Sequence, residues 1–231
     1  MSLTIAIPTM RRWDFLKDSL PVYLAREEVA EVILCDETGE DAAAAAALKS
    51  PKLRIVVNER RLGIYENKRK VLGLANTTWV ALLDSDNYFS DEWFDTLLEN
   101  LKTEKVIYAS ADFNTCDIRT GQVTKPCKKF SGLRLDKTGW NSMLDKPGWP
   151  LLLNDGNWVL PRDAVEFLPD IESSKLAAVD ALYMLRCFVK AGYTVWYVPK
   201  LEYIHIVHDG SSWLETERES NRILSINNWS I

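Results

Sequence analysis

Two carboxylates one residue apart close a run of five apolar residues. Trp79-Val80-Ala81-Leu82-Leu83 ends in Asp84-Ser85-Asp86-Asn87. On an extended backbone Asp84 and Asp86 share a face, because side chains alternate with period two. Two hard oxygen ligands without a neighbouring Lys or Arg suit Mg²⁺ or Mn²⁺, more so when a phosphate shares the ion. The same stretch also suits the approach to a helix, since Ser90 and Asp91 precede a helical pattern. The chain has two histidines, His205 and His208, at the end of a strand-like run and before Asp209-Gly210-Ser211-Ser212. Three residues apart on an extended segment, they face opposite ways, so one at most reaches an ion unless the strand breaks between them. Structural histidines are the commoner outcome.

Cations come from two places. Arg11 and Arg12 follow Ile7-Pro8-Thr9, and the planar arginine fork suits phosphate; one of the two is expected in solvent. Asn67, Lys68, Arg69 and Lys70 occupy the first turns of an expected helix, against the macrodipole preference for acids there. An anionic ligand in front of them explains the mismatch, and so does a solvated basic face. Asp36 ends the second expected strand, where an acid in a nucleotide-binding α/β unit accepts hydrogen bonds from base or ribose. Asp41 is expected to cap the following helix.

Positioning these groups requires a sheet. Leu3–Thr9, Val29–Cys35, Leu53–Val57 and Thr78–Leu83 read as strands. Trp13–Arg26, Ala42–Lys49, Ile64–Ala75 and Asp91–Lys102 read as helices between and after them. This is the rhythm of a doubly wound parallel sheet, with its cleft outside the strands' carboxyl ends. No GxGxxG or GxxxxGK[ST] is present, which argues against an NAD-binding domain or a P-loop.

From about residue 112 the rhythm lapses into loops marked by Gly121, Pro126, Gly132, Gly139 and Pro147-Gly148-Trp149-Pro150. A strand, or two strands around Asn154-Asp155-Gly156-Asn157, is expected over 151–160, with a short helix starting at Pro161. Ala177–Ala191 reads as a helix with Asp180 in its first turn and Gly192 as its C-cap signal. Strands follow over 193–198 and 201–207, and the tail reads as one helix that then trails off. Trp140, Trp149 and Trp158 lie in or beside the loops. They suit sugar C–H faces, although core packing is the commoner fate.

The bulk properties exclude several classes. A net charge of −5 over 231 residues argues against a broad nucleic-acid surface. No run of about twenty apolar residues is present, so no integral membrane segment is expected. The N-terminus enters a strand pattern without a charged and then apolar leader, so a soluble, cytoplasmic protein is expected. Four cysteines without a CxxC pair read as reduced thiols rather than a zinc site.

Taken in order, Ile5-Ala6-Ile7-Pro8-Thr9, Asp36, Gly63 through Lys68, and Leu82-Leu83-Asp84-Ser85-Asp86-Asn87 resemble the GT-A fold glycosyltransferases, specifically the inverting family 2. Asp180, followed by Arg186 and Ala191-Gly192-Tyr193, and then His205 and His208, extend the likeness to residue 213. The resemblance implies one α/β domain of the GT-A (nucleotide-diphospho-sugar transferase) fold, a Rossmann-like, mostly parallel central sheet flanked by helices. Residues 1–111 would bind the nucleotide sugar, 112–213 would hold acceptor and catalysis, and 214–231 would be a tail. It implies transfer from a nucleotide-sugar donor to a glycan or other hydroxyl acceptor. Pro8, Thr9, Arg11, Asp36, Lys68, Asp84 and Ser85 would contact the donor, Asp86 and His208 would hold Mn²⁺ or Mg²⁺, and Asp180 would be the general base. Asp155, Gly156, Asn157 and Trp158 are weaker candidates for sugar or acceptor. The family usually has Glu before its base, whereas Val179 precedes Asp180. That departure keeps open a catalytically silent nucleotide- or carbohydrate-binding module.

Overall fold

The structure is a computed structural model that describes residues 2–102, 105–110, 114–154 and 156–231. In chain order its strands and α-helices are β1 (Leu3–Thr9), α1 (Trp13–Ala25), β2 (Val29–Asp36), α2 (Glu40–Ala45), β3 (Leu53–Val57), α3 (Ile64–Gly73), β4 (Trp79–Leu82), β5 (Tyr88–Phe89) and α4 (Asp91–Asn100). They continue with β6 (Val106–Ser110), β7 (Asn114–Asp117), β8 (Gln122–Thr124), β9 (Arg134–Leu135), α5 (Lys137–Met143), α6 (Trp149–Leu153), β10 (Trp158–Pro161), α7 (Asp180–Lys190), β11 (Thr194–Val198), β12 (Tyr203–Val207) and α8 (Ser212–Ile226).

Among the described residues, eight strands form a sheet in the order β3-β2-β1-β4-β10-β6-β11-β9, and four form a smaller one in the order β5-β12-β7-β8. Leu3, Ile5, Ala6 and Ile7 of β1 and Val80, Ala81 and Leu82 of β4 are fully buried. Consecutive buried positions mean burial on both faces, the state of central parallel strands. Each such Leu, Ile or Val contributes roughly 1.5–3 kcal/mol. β1 pairs in parallel with β2 on one side and β4 on the other, with Thr9 beside Asp36 and Ala6 beside Leu82. The segments after β1, β2 and β4 therefore leave the sheet on one rim.

β10 is the exception that builds the site. It runs antiparallel between β4 and β6, with Val159 opposite both Ala81 and Tyr108. A strand from the later chain thus sits inside the sheet begun by the first half, and it delivers Gly156 and Asn157 to the rim beside Asp84. Of the strand or two strands expected over 151–160, one forms, β10, and the first part is the helix α6 instead. Pro150 lies in the first turn of α6, where its missing N–H has no intrahelical partner to lose. Pro161 ends β10 opposite Trp79 and also leads into the expected short helix, a 3-10 helix over Arg162–Phe167 with Pro161 at its N-cap rather than in its first turn. Proline is tolerated at such a ladder end.

The helix expected from Ala177 begins three residues later. Ala177 has φ 46° and Ala178 is non-helical, so a separate turn, Ala177–Val179, precedes α7. The tail is docked rather than loose. Trp229 is buried, and its carbonyl accepts the Trp140 indole N–H at 2.8 Å. Arg186 donates to the Ser230 carbonyl at 2.7 Å, and Asn141 exchanges two hydrogen bonds with the Ile231 backbone at 2.8 and 3.0 Å. Among the described residues no helix is long and apolar enough to cross a membrane.

Candidate functional site

A cleft of about 800 Å³ opens at the carboxyl ends of β1 and β4. Pro8, Thr9, Arg12, Lys68, Asp84, Ser85, Asp86, Gly156, Asn157, Asp180 and His205 are among its walls. Most of the residues singled out in the sequence meet here, although over a hundred positions separate the first from the last.

Lys68 lies at the centre. It is buried in the second turn of α3, with Nζ 2.8 Å from Asp84 Oδ1 and 3.0 Å from Asp180 Oδ2. The mismatch between this cation and the helix dipole is thus answered by two acids of the chain itself. Burial would lower the Lys68 ammonium, but the charges of Asp180 and Asp84 outweigh it and hold the group above its ordinary range. Burial pushes the Asp84 carboxyl up to about 6; Lys68 opposes the rise, and Asp86 and Asp180 add to it. Asn157 fixes the backbone here by accepting the Asp84 N–H at 2.9 Å. A Cβ on Gly156 would stand 2.9 Å from Lys68 Nζ and 3.0 Å from Asp84 Oδ2, so only glycine leaves the pair undisturbed. The rest of the basic set is also engaged: Arg69 with the Leu168 carbonyl and Lys70 with Asn58 Oδ1.

Asp84 and Asp86 do not act as a parallel pair. β4 stops at Leu82, and the Asn87 N–H closes a turn onto the Asp84 carbonyl. The turn sends Asp84 towards Lys68 and Asp86 towards His208, whose Nε2 lies 3.1 Å from Asp86 Oδ2. The Gly210 N–H donates to His208 Nδ1 at 3.2 Å, so the neutral ring carries its proton on Nε2 and donates it to Asp86. Arg12 Nε stands 3.7 Å from the same oxygen, while its Nη2 donates to the Gly210 carbonyl. Burial would raise the Asp86 carboxyl, but the hydrogen bond from His208 and the charges of His205, Arg12 and His208 hold it below the usual range. β12 ends at Val207, so His208 lies beyond the strand and is freed from its alternation.

Among the described residues no three His, Cys, Asp or Glu side chains converge as a metal cage. Two donors are nonetheless spaced for one. The 3.1 Å between Asp86 Oδ2 and His208 Nε2 matches adjacent donors on an octahedral ion bound at about 2.1 Å. A cation held by one carboxylate, one imidazole and phosphate oxygens fits this pair. A cation held through Nε2 would need the ring proton on Nδ1, so the hydrogen bond from the Gly210 N–H would give way on binding.

Several expected contacts lie elsewhere. Asp36 is fully buried; its Oδ1 accepts the Thr38 N–H at 3.0 Å and its Oδ2 the Ala42 N–H at 2.8 Å. It brackets the start of α2, outside the cleft walls. Asp41, expected as that cap, reaches back instead: its carboxylate accepts the Arg12 and Trp13 N–H groups at the start of α1 and the Thr9 hydroxyl. Arg11, at φ 57°, borders the cleft, but its guanidinium pairs with Glu40 at 2.8 Å and two-thirds of its side chain is exposed. Arg12 is the arginine that faces Asp86. Trp158 is 1% exposed and packs edge-on against Phe188 in the core, so its ring offers no face to a sugar. Asp155 lies outside the described residues.

Residues 4–153 match the family described as Glycosyl transferase family 2. The chain belongs to this family. The matched stretch carries Lys68, Asp84 and Asp86 but stops before Gly156, Asp180 and His208. No curated protein matches by sequence. Among solved structures, the chain of S. aureus TarS 1–349 is 14% identical, with a TM-score of 0.63 over 98% of this chain and 65% of that one. The same TarS segment in complex with UDP-GlcNAc gives a TM-score of 0.67 at 14% identity, covering 98% and 66%. GalNAc-T7, solved with UDP, GalNAc and Mn²⁺, gives 0.64 at 13% identity, covering 91% of this chain and 44% of that one. The chain thus spans just under two thirds of the TarS structure and less than half of GalNAc-T7. At these identities the likeness is one of fold, the GT-A arrangement.

Within this family 2 chain, four residues of the site escaped the sequence. Glu37 holds the loop before α3 by accepting the Leu62 and Gly63 N–H groups at 2.6 and 2.9 Å. Asn154 and Ser220 hold the turn before Asp180. Trp213, 39% exposed in the first turn of α8, walls the cleft where Trp158 was expected to contribute. Only Glu37 left a signal, its place next to Asp36.

Proposed function

We propose that this chain transfers a sugar, with inversion, from a uridine-diphosphate sugar to a hydroxyl acceptor, with a divalent cation bound beside Asp86 and His208. The observation that carries this is the meeting of Asp84, Asp86, Lys68 and Asp180 in one cleft of a family 2 chain. The uridine nucleotide is suggested by the neighbours solved with UDP and UDP-GlcNAc.

The geometry supports the following roles. Pro8, Thr9 and Ser85 form the wall on the nucleotide side, and Arg12 supplies a cation there in place of Arg11. Asp84, oriented by Lys68 and Asn157, takes a ribose or water contact. Asp86 and His208 would hold Mg²⁺ or Mn²⁺, which would supply Lewis-acid stabilisation of the leaving diphosphate. Asp180 accepts the acceptor's hydroxyl proton while that oxygen forms its bond to the anomeric carbon. The bond from the anomeric carbon to the diphosphate oxygen breaks, and its electron pair leaves with the nucleoside diphosphate. Gly156 and Asn157 border the donor sugar. Trp213 and Leu151, both exposed and both on the cleft wall, form the acceptor side.

The test is UDP release from a panel of UDP-sugars with and without Mn²⁺, and the anomeric configuration of any product by NMR. Inverted product and Mn²⁺-dependent release are expected. UDP binding with no turnover on any donor, water included as acceptor, identifies the silent binding module instead. Retained configuration refutes the role of Asp180 as a base.

A further inference from the structure

Asp180 opens α7 directly after a turn in an unfavourable conformation. Ala177 is a non-glycine residue at φ 46°, in the left-handed region, and Ala178 leaves helical geometry at φ −93°, ψ 28°. Such backbone costs of order 1–3 kcal/mol and persists only where its surroundings over-determine it. Two side chains from distant elements do so here. Ser220 of α8 accepts the Ala178 N–H at 3.2 Å, and Asn154, at the end of α6, donates to the Ala178 carbonyl at 2.6 Å. Asn154 Oδ1 also accepts the Leu182 N–H at 3.0 Å, one of the free donors in the first turn of α7. Ser220 is fully buried, and its own proton goes to Thr216 Oγ1 at 3.3 Å, which leaves a lone pair for Ala178.

Both polar groups of one residue and the start of the next helix are thus held by the same two side chains. Asp180 follows two positions after Ala178, and its Oδ2 has no hydrogen-bond donor among the described residues beyond the ion-pair contact with Lys68. The aim of the carboxylate therefore depends on the turn. Ser220 is not part of the cleft wall, and its hydrogen bond into the turn before Asp180 is to the backbone of Ala178.

We propose that Ser220 and Asn154 are positioning residues for Asp180, and that α8, through Ser220, is a working part of the site rather than a tail. This role rests on Asp180 being the base, as proposed above. A misplacement of about 1 Å at a reacting group costs up to 10²-fold in rate, and release of one end of the turn permits a shift of that size.

The test compares the wild-type chain with Ser220→Ala, Ser220→Thr and Asn154→Ala. UDP-GlcNAc hydrolysis with Mn²⁺ gives kcat and KM, and calorimetry gives the affinity for UDP. Ser220→Ala is expected to lower kcat roughly ten- to a hundred-fold while KM and UDP affinity stay within about two-fold. Ser220→Thr, which keeps the hydroxyl, restores most of the loss, and Asn154→Ala reproduces it from the other side of the turn. An unchanged kcat in Ser220→Ala overturns the proposal, as does UDP affinity that falls in step with turnover. If Ser220→Ala does not fold, Asn154→Ala decides by the same criteria. A wild-type chain that binds UDP and turns over no UDP-sugar of the panel removes the base role itself, an outcome distinct from active wild type with an equally active Ser220→Ala.

Discussion

Lys68 Nζ and Asp180 Oδ2 meet at 3.0 Å, an ammonium from the first half of the chain against a carboxylate from the second. The same ammonium holds Asp84 at 2.8 Å. One buried cation therefore ties the donor side of the cleft to its proposed base. Removing one partner of a buried ion pair leaves the other charge uncompensated and costs about 3–5 kcal/mol. Lys68→Met is expected to lose stability on that scale and to lose turnover with it. Urea unfolding checks the first and UDP release the second; stability within about 1 kcal/mol of wild type contradicts the expectation.

Two glycines should respond differently to one added methyl group. Gly63 has φ 87°, and a Cβ there would meet the Ser173 side chain at 2.9 Å, so Gly63→Ala carries both strain and overlap. It is expected to destabilise by about 1–3 kcal/mol. Gly156 is outside the left-handed region, and its Cβ would crowd the side-chain ends of Lys68 and Asp84, with Ala181 Cβ at an ordinary 3.6 Å. Gly156→Ala should keep stability within about 1 kcal/mol and still lower kcat by roughly ten-fold or more. Thermal melts and turnover of the two variants decide, and equal behaviour would sink the distinction.

Asp86→Asn retains an acceptor for His208 but removes the anionic oxygen that suits a hard cation. The gain in UDP affinity on adding Mn²⁺ should fall by more than the roughly ten-fold lost when a merely supporting group is removed. Paired calorimetric titrations, with and without Mn²⁺, measure this. An undiminished gain excludes Asp86 as a ligand.

His205 supplies a pH signature. Burial pushes its imidazolium below the ordinary 6.5, against the opposing charge of Asp86. The unfolded chain takes up a proton near that pH that the folded chain refuses. This contribution to stability is therefore complete above the ordinary value and declines as the pH falls through it. His205→Gln should flatten the fall in stability from about pH 6.5 towards 5. Urea midpoints across that range test it, and a slope as steep as wild type counts against His205 as the source.

The parallel half of the fold was legible because its strands are buried on both faces. Ile5-Ala6-Ile7 and Val80–Leu83 have no competing pattern, and the polar residues that end them had to lie on the rim. The residues were legible and their partners were not. The cations of α3 announced a mismatch, but nothing local says that Asp84 and Asp180 answer it. Arg11 and Arg12 are chemically equal in sequence, and only the left-handed φ of Arg11 sends one outward. Asp36 takes the place at α2 expected of Asp41, because Asp41 reaches the start of a different helix, a tertiary contact that capping patterns do not encode. Trp158 and Trp213 do the same: strand burial takes the first into the core, and docking of α8 brings the second to the cleft.

The position of β10 bears on how the chain is made. Residues 79–82 and 106–110 leave the ribosome before 158–161, the strand that separates them in the finished sheet. Until then β4 presents an open, apolar edge, the kind that pairs with other chains. The nascent chain is thus exposed along this edge until residues 158–161 emerge, and residues 1–111 are not expected to be a free-standing module. A fragment covering 1–111 should be insoluble or rapidly proteolysed when expressed alone and rescued by co-expression of 112–231. A soluble, protease-resistant fragment would show that the half closes its edge without β10.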